Sequence, residues 1–244
     1  MEQMPSNDPI MESKPGPAGW FQVWVTALTK PNEQTFIDLT ESPNATSKTA
    51  FIWVFIAGTI ASVFQSILQA IYAATGTTPQ LPIPGLEEYT QSVGTGSVGS
   101  ALIGICFSPI AGVIAVLFFA LFVAVIQWVA KLFGGSGTFD KMTYAFAAIS
   151  VPFTLISAVL TLFNAIPYVG LCTGLISFGV GIYALVLQVM AVKGVNRFGW
   201  GQAIGSIFIP WLVILLFCCC IVFGLSMLLG PVIGDVFQGM QFAP

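Results

Sequence analysis

From Val98 to Lys131 the chain runs through 34 residues with no charged side chain before the closing lysine. As one α-helix that run would measure about 51 Å, against a bilayer hydrocarbon core of about 30 Å. Comparable apolar runs occupy residues 50–75, 141–163, 168–192 and 202–229. The natural solvent for such segments is lipid. Composition agrees: 56% of residues are hydrophobic and 7% charged, where a soluble domain carries about 25% charged residues. Seven basic residues, none in a run, leave no electrostatic footprint for nucleic acid.

The length of the 98–131 run calls for an interruption, and Pro109 supplies one. The reading is a short entering segment up to Ser108 and a span from Ile110 to about Ala130; two spans folded as a hairpin fail on length. Pro152 and Pro210 fall within the third and fifth spans. The expected fold is an all-α membrane protein, a five-transmembrane-helix bundle in residues 50–230. Residues 1–19, with four prolines and no basic stretch leading into an apolar one, read as a disordered cytoplasmic tail and not a signal peptide. Residues 231–244 form a short external tail.

Between tail and bundle, residues 20–49 hold two N-terminal amphipathic helices and a loop. Trp20, Phe21, Trp24 and Leu28 recur at helical spacing, Phe36, Ile37 and Leu39 make a second apolar edge, and Lys30-Pro31 breaks between them. Both are too short to span. They lie in the membrane interface, or they cap the end of the bundle.

Charge sets the orientation. Lys14, Lys30 and Lys48 precede span one, Lys131 and Lys141 flank the loop between spans two and three, and Lys193 and Arg197 lie between spans four and five. The loops of the opposite side, 76–97 and 164–167, and the C-terminal tail carry no lysine or arginine. The N-terminus is therefore expected inside and the C-terminus outside. On that orientation the Asn44-Ala-Thr46 sequon faces the cytoplasm and stays unglycosylated.

No Asp, Glu, Lys, Arg or His lies well within a span, which argues against an enzyme or an ion-coupled transporter. Five cysteines without CxxC spacing and the absence of histidine argue against zinc; the cysteines read as small buried apolar side chains. The reading assigns no catalytic residue, cofactor or metal. Neutral polar residues remain. Ser62, Gln65 and Gln69 share one face of span one, and Gln127 and Gln188 lie in spans two and four. The stripe of Ser62, Gln65, Gln69 and Gln188 serves either interhelical hydrogen bonds or a polar path for a small molecule or lipid headgroup. Small residues at four-residue spacing, Gly104-Ser108-Gly112, Gly170-Gly174, Ser177-Gly181 and Gly201-Gly205, suit close helix contact. The loop Gly134-Gly-Ser-Gly137 lacks the Lys-Ser or Lys-Thr ending of a phosphate-binding loop. Its glycines make a tight turn, Thr138 caps the next helix and Asp140 favours its positive end.

Several short motifs recur in a fixed order: Pro31 to Phe36, Gly134-Gly-Ser-Gly-Thr-Phe139 with Tyr144 and Pro152 after it, Pro167-Tyr-Val-Gly170, Tyr183, and Trp200 ahead of span five. With the five-span topology, this order resembles the Yip1 family, and more closely its prokaryotic branch, over roughly residues 20–229. The resemblance implies a non-enzymatic integral membrane protein of the prokaryotic plasma membrane. Eukaryotic relatives act in traffic between endoplasmic reticulum and Golgi, associate with Rab-type GTPases and form complexes among themselves. The family's Asp-Leu-Tyr-Gly-Pro motif is reduced here to Asp38-Leu39 and Pro43, which argues against a GTPase partner.

Two functions are carried forward. One is a membrane organiser or adaptor that binds a protein, a second copy of itself or a lipid surface at its cytoplasmic face, through Trp20, Trp24, Phe36, Gly134, Gly135, Gly137, Phe139, Arg197 and Trp200. The other is a conduit for lipid or a small neutral solute through the bundle.

Overall fold

The structure is a computed structural model that describes residues 17–75, 98–163, 166, 169–213, 215–216 and 219–220. Those residues form helices and connecting turns, with no strand among them. The helices are α1 (Pro17–Thr29), α2 (Glu33–Glu41), α3 (Ser47–Thr75), α4 (Val98–Leu132), α5 (Phe139–Phe163), α6 (Val169–Asn196) and the shorter α7 (Trp200–Val213). Four of them are long and apolar enough to cross a membrane. The expected tail before Pro17, the 76–97 loop, most of the 164–168 link, and the end of the fifth span with its external tail lie outside the described residues.

Local chemistry sets the helix starts. Pro17 opens α1, where its missing N–H costs nothing, three residues ahead of the expected start at Trp20. Asn32 caps α2, its Oδ1 accepting from the Gln34 N–H. Thr46 accepts from the Thr49 N–H to cap α3, and Thr138 accepts from the Lys141 N–H to cap α5, as its position predicts. At α7 the Gly199 N–H donates to Gln202 Oε1 at 3.0 Å, the backward half of a capping box.

One expectation fails at Pro109. No break occurs there: α4 runs as a single helix of 35 residues with Pro109 inside it. A proline removes one backbone hydrogen bond, and α4 compensates by packing tightly along α3 on both sides of it. A Cβ on Gly104 would lie 2.6 Å from Ser66 Oγ, and one on Gly112 would lie 3.0 Å from the Phe55 carbonyl. The facing Gly58 is as tight, 2.8 Å from Ala115 Cβ. The Gly104-Ser108-Gly112 spacing thus marks the α3–α4 seam, and a helix longer than the hydrocarbon core tilts or projects instead of breaking. Gly174, Gly181 and Gly201 meet nothing among the described residues.

The core forms around the first half of α5, where every residue from Met142 to Ile149 is buried. A helix apolar all round demands neighbours on every side. It has α3, α4, α6, α1 and α2. Elsewhere the bundle exposes apolar side chains, such as Leu117 and Phe118 on α4, as lipid contact requires. The described cysteines belong to that outer surface: Cys106, Cys172, Cys219 and Cys220 are exposed and not buried, because they sit on helix faces that no described residue covers, and Cys218 lies outside the described residues.

Candidate functional site

Both α3 and α6 pack on α5 and scarcely touch each other, so a groove over α5 stays open between them. In it lies a cleft of about 570 Å³. Ser62 and Gln65 come from α3, Ser150, Phe153, Thr154, Ser157 and Thr161 from α5, and Gln188 from α6. The structure therefore brings together three of the four stripe residues expected from sequence. Gln69, exposed one turn along α3, is not part of the wall. Thr161 donates to the Ser157 carbonyl at 2.7 Å. The side chains of Ser62, Gln65, Ser150, Thr154, Ser157 and Gln188 bond to no other described residue. The α5 hydroxyls escaped the sequence reading because each alone looks like an ordinary helix hydroxyl. Their spacing at 150, 154, 157 and 161 was the available signal, since it marks one helical face.

The glycine loop lies at the opposite end of α5 and is spoken for internally. Asn196, 1% exposed, accepts from the Gly137 N–H and from Gln127 Nε2, both at 3.2 Å, and donates to the Val192 carbonyl at 3.1 Å. Gln127 Nε2 also donates to the Gly137 carbonyl at 2.7 Å. A Cβ on Gly135 or Gly137 would stand 2.5 or 2.7 Å from Asn196 Oδ1. These glycines let the loop press onto an asparagine, while Gly134, at φ +85°, makes the turn itself. The loop ties the ends of α4, α5 and α6 together, and Gln202 Nε2 adds α7 by donating to the Phe133 carbonyl.

Over this end lie α1 and α2. Trp20 and Trp24 pack edge-on against Trp53, and Trp53 packs at a tilt against Tyr144. The buried indole N–H groups of Trp24 and Trp53 meet no acceptor among the described residues, so ring packing positions them. Tyr183 on α6 donates to the Leu28 carbonyl at 2.6 Å. Lys193 pairs with Glu33 and Arg197 with Glu41, and Gly194 lets α2 approach so closely that a Cβ would lie 2.9 Å from the Glu33 carbonyl. These contacts fit the cap expected as one of the two readings for this segment. One apolar edge stays exposed, with Phe21 66% exposed and Val25 beside it.

A family model for the Yip1 domain matches residues 25–222, most of the chain. The chain belongs to the Yip1 family. No match was found among curated proteins or among solved structures. In this Yip1 domain the motifs that carry the resemblance are architectural. Tyr144 is hydrogen-bonded to Ser42 and packed at a tilt on Trp53, Tyr183 holds α1, and Lys193 sits 4.6 Å from the Trp200 ring centroid.

The nine residues proposed as a docking surface separate accordingly. Phe36 and Gly137 are buried, Phe36 on the inner face of α2 against Gly194 of α6 and Gly137 on Asn196, and neither offers a surface. Trp20, Trp24, Gly135 and Phe139 are half-buried because their outer faces are used by the cap and the loop. Gly134, Arg197 and Trp200 are exposed.

Proposed function

We propose that this Yip1 protein is a non-enzymatic, five-span protein of the prokaryotic plasma membrane that holds a neutral hydrogen-bonding group in the cleft between α3, α5 and α6. The carrying observation is that six polar side chains line this cleft at spanning depth without a partner among the described residues. In hydrocarbon each such group costs roughly 2–7 kcal/mol if left bare, so water or a ligand must meet it. Five spans follow from continuing the apolar run that begins with α7. An inside N-terminus is supported by Lys48, Lys131, Lys141, Lys193 and Arg197, all at helix ends on the capped side. The test is to extract ligands co-purified with the wild type and with Gln65→Leu/Gln188→Leu, alongside lipid-scrambling and neutral-solute flux in vesicles. Enrichment of one ligand in the wild type alone supports the reading. Identical extracts, with flux no greater than in empty vesicles, overturn it.

A second reading is favoured by the exposed apolar edge of Phe21 and by Trp200, 51% exposed next to Arg197. On this reading the capped end binds a protein or a second copy of the chain. Purification in mild detergent tests it: a partner or dimer lost on Phe21→Ala or Trp200→Ala supports an adaptor, and a clean monomer argues against one.

A further inference from the structure

The cleft between α3, α5 and α6 is polar and uncharged in its described lining. Its lining combines five hydroxyls (Ser62, Ser150, Thr154, Ser157, Thr161), two primary amides (Gln65, Gln188) and one aromatic ring, Phe153, with no ionisable side chain among the described residues. A phosphate in a low-dielectric site needs a cation or a dense set of N–H donors. Here the only strong N–H donors are the two amides, on opposite walls. Hydroxyls and amides donate and accept together, which suits a ligand whose own groups do the same. A helix hydroxyl that donates back to its own backbone, as Thr161 does, still presents acceptor lone pairs to the cleft.

The aromatic ring adds shape. Phe153 forms part of the wall, and Tyr183 packs against it edge-on, with centroids 6.1 Å apart and planes at 82°. Tyr183 is itself anchored to the Leu28 carbonyl of α1. The ring is therefore held as a platform against which a flat, weakly polar face can lie. The volume of about 570 Å³ falls within the range of small-molecule sites.

We infer that the cleft selects an uncharged polyhydroxylated group, sugar-like in its alternation of hydroxyls and apolar C–H faces. Its amides read the hydroxyls and Phe153 receives the C–H face. The inference rests on the cleft reading above. It excludes phosphorylated headgroups as preferred ligands. The same chemistry could arrive as the headgroup of a neutral glycolipid through the gap between α3 and α6, or as a free sugar.

The experiment is native mass spectrometry of the full chain in detergent, titrated separately with monoglucosyl diacylglycerol, phosphatidylcholine, phosphatidylglycerol and free glucose. It is repeated for Gln188→Leu, Phe153→Leu and Ser157→Ala, with size-exclusion profiles to verify folding. The expected result is retention of the glucolipid at concentrations about tenfold below either phospholipid, and an about tenfold loss on Gln188→Leu, equivalent to one lost hydrogen bond to a desolvated group. Ser157→Ala, the mildest change, keeps the question open to measurement if a larger substitution misfolds, and is expected to weaken glucolipid alone. Glucose binding with the same sensitivity assigns a soluble ligand. Phospholipid binding that is equally tight and equally sensitive to Gln188→Leu overturns the sugar-like class while leaving the cleft as a site. Binding of every probe unchanged by all three substitutions overturns both.

Discussion

Replacing Asn196 with alanine tests whether the glycine loop is a structural clamp. The substitution removes an acceptor from the Gly137 N–H and from Gln127 Nε2, and a donor to Gln127 Oε1 at 3.4 Å and to the Val192 carbonyl. Gln127 keeps its bond to the Gly137 carbonyl, but the Gly137 N–H is left buried and bare. A buried donor without a partner costs about 1–3 kcal/mol, and the weakened Gln127 bonds add about 1 kcal/mol, so the loss is about 2–4 kcal/mol. For a chain of this size that lowers the melting temperature by roughly 5–15 °C, read by fluorescence-detected size exclusion after heating in detergent. A double-mutant cycle with Gln127→Leu sharpens it. The two changes break one network, so their costs should fall short of additivity by about 0.5–3 kcal/mol. Strict additivity, or an Asn196→Ala protein as stable as wild type, would mean that water replaces the side chain and would refute the clamp.

Gly112→Val should prevent the α3–α4 seam from closing, since even a Cβ comes within 3.0 Å of the Phe55 carbonyl; the expected outcome is little folded protein by size exclusion, with Ala111→Val as the tolerated control. At the capped end, Gly194→Val should push the Glu33 carbonyl, and α2 with it, away from α6, measured as faster proteolysis between Lys30 and Glu41 with the spanning helices intact. By contrast Glu41→Gln removes an ion pair whose members are 62% and 49% exposed, and exposed pairs contribute about 0–1 kcal/mol. Its melting temperature should move by no more than a few degrees, and by less in high salt.

The legible part of the site shows how far pattern carries. Ser62, Gln65 and Gln188 stood out because amides and hydroxyls in otherwise apolar spans violate the composition around them. The α5 hydroxyls did not stand out, and only the packing of α3 and α6 on either side of α5 turns them into a wall. Asn196 was missed altogether. At the end of a helix it looks like a local terminator, whereas its partners lie 59 and 69 residues away. The docking surface was overdrawn for the complementary reason: on the amphipathic α2 the pattern marks Phe36 as apolar without saying that α6 covers it, and nothing local shows that Gly137 lies on Asn196.

The sequence alone determined that this chain belongs in a membrane, which segments are helical, where Thr138 caps α5 and where the basic residues gather, because each depends on solvent transfer or on bonds within a few residues. Tertiary structure decided the rest. The unbroken α4 depends on glycines meeting α3, the N-terminal cap on Gly194 admitting α2, and the loop Gly134-Gly-Ser-Gly137 on an asparagine from another helix. All three are contacts between backbones brought within a few ångströms of each other, and no periodicity along one chain encodes which distant partner will fill that space.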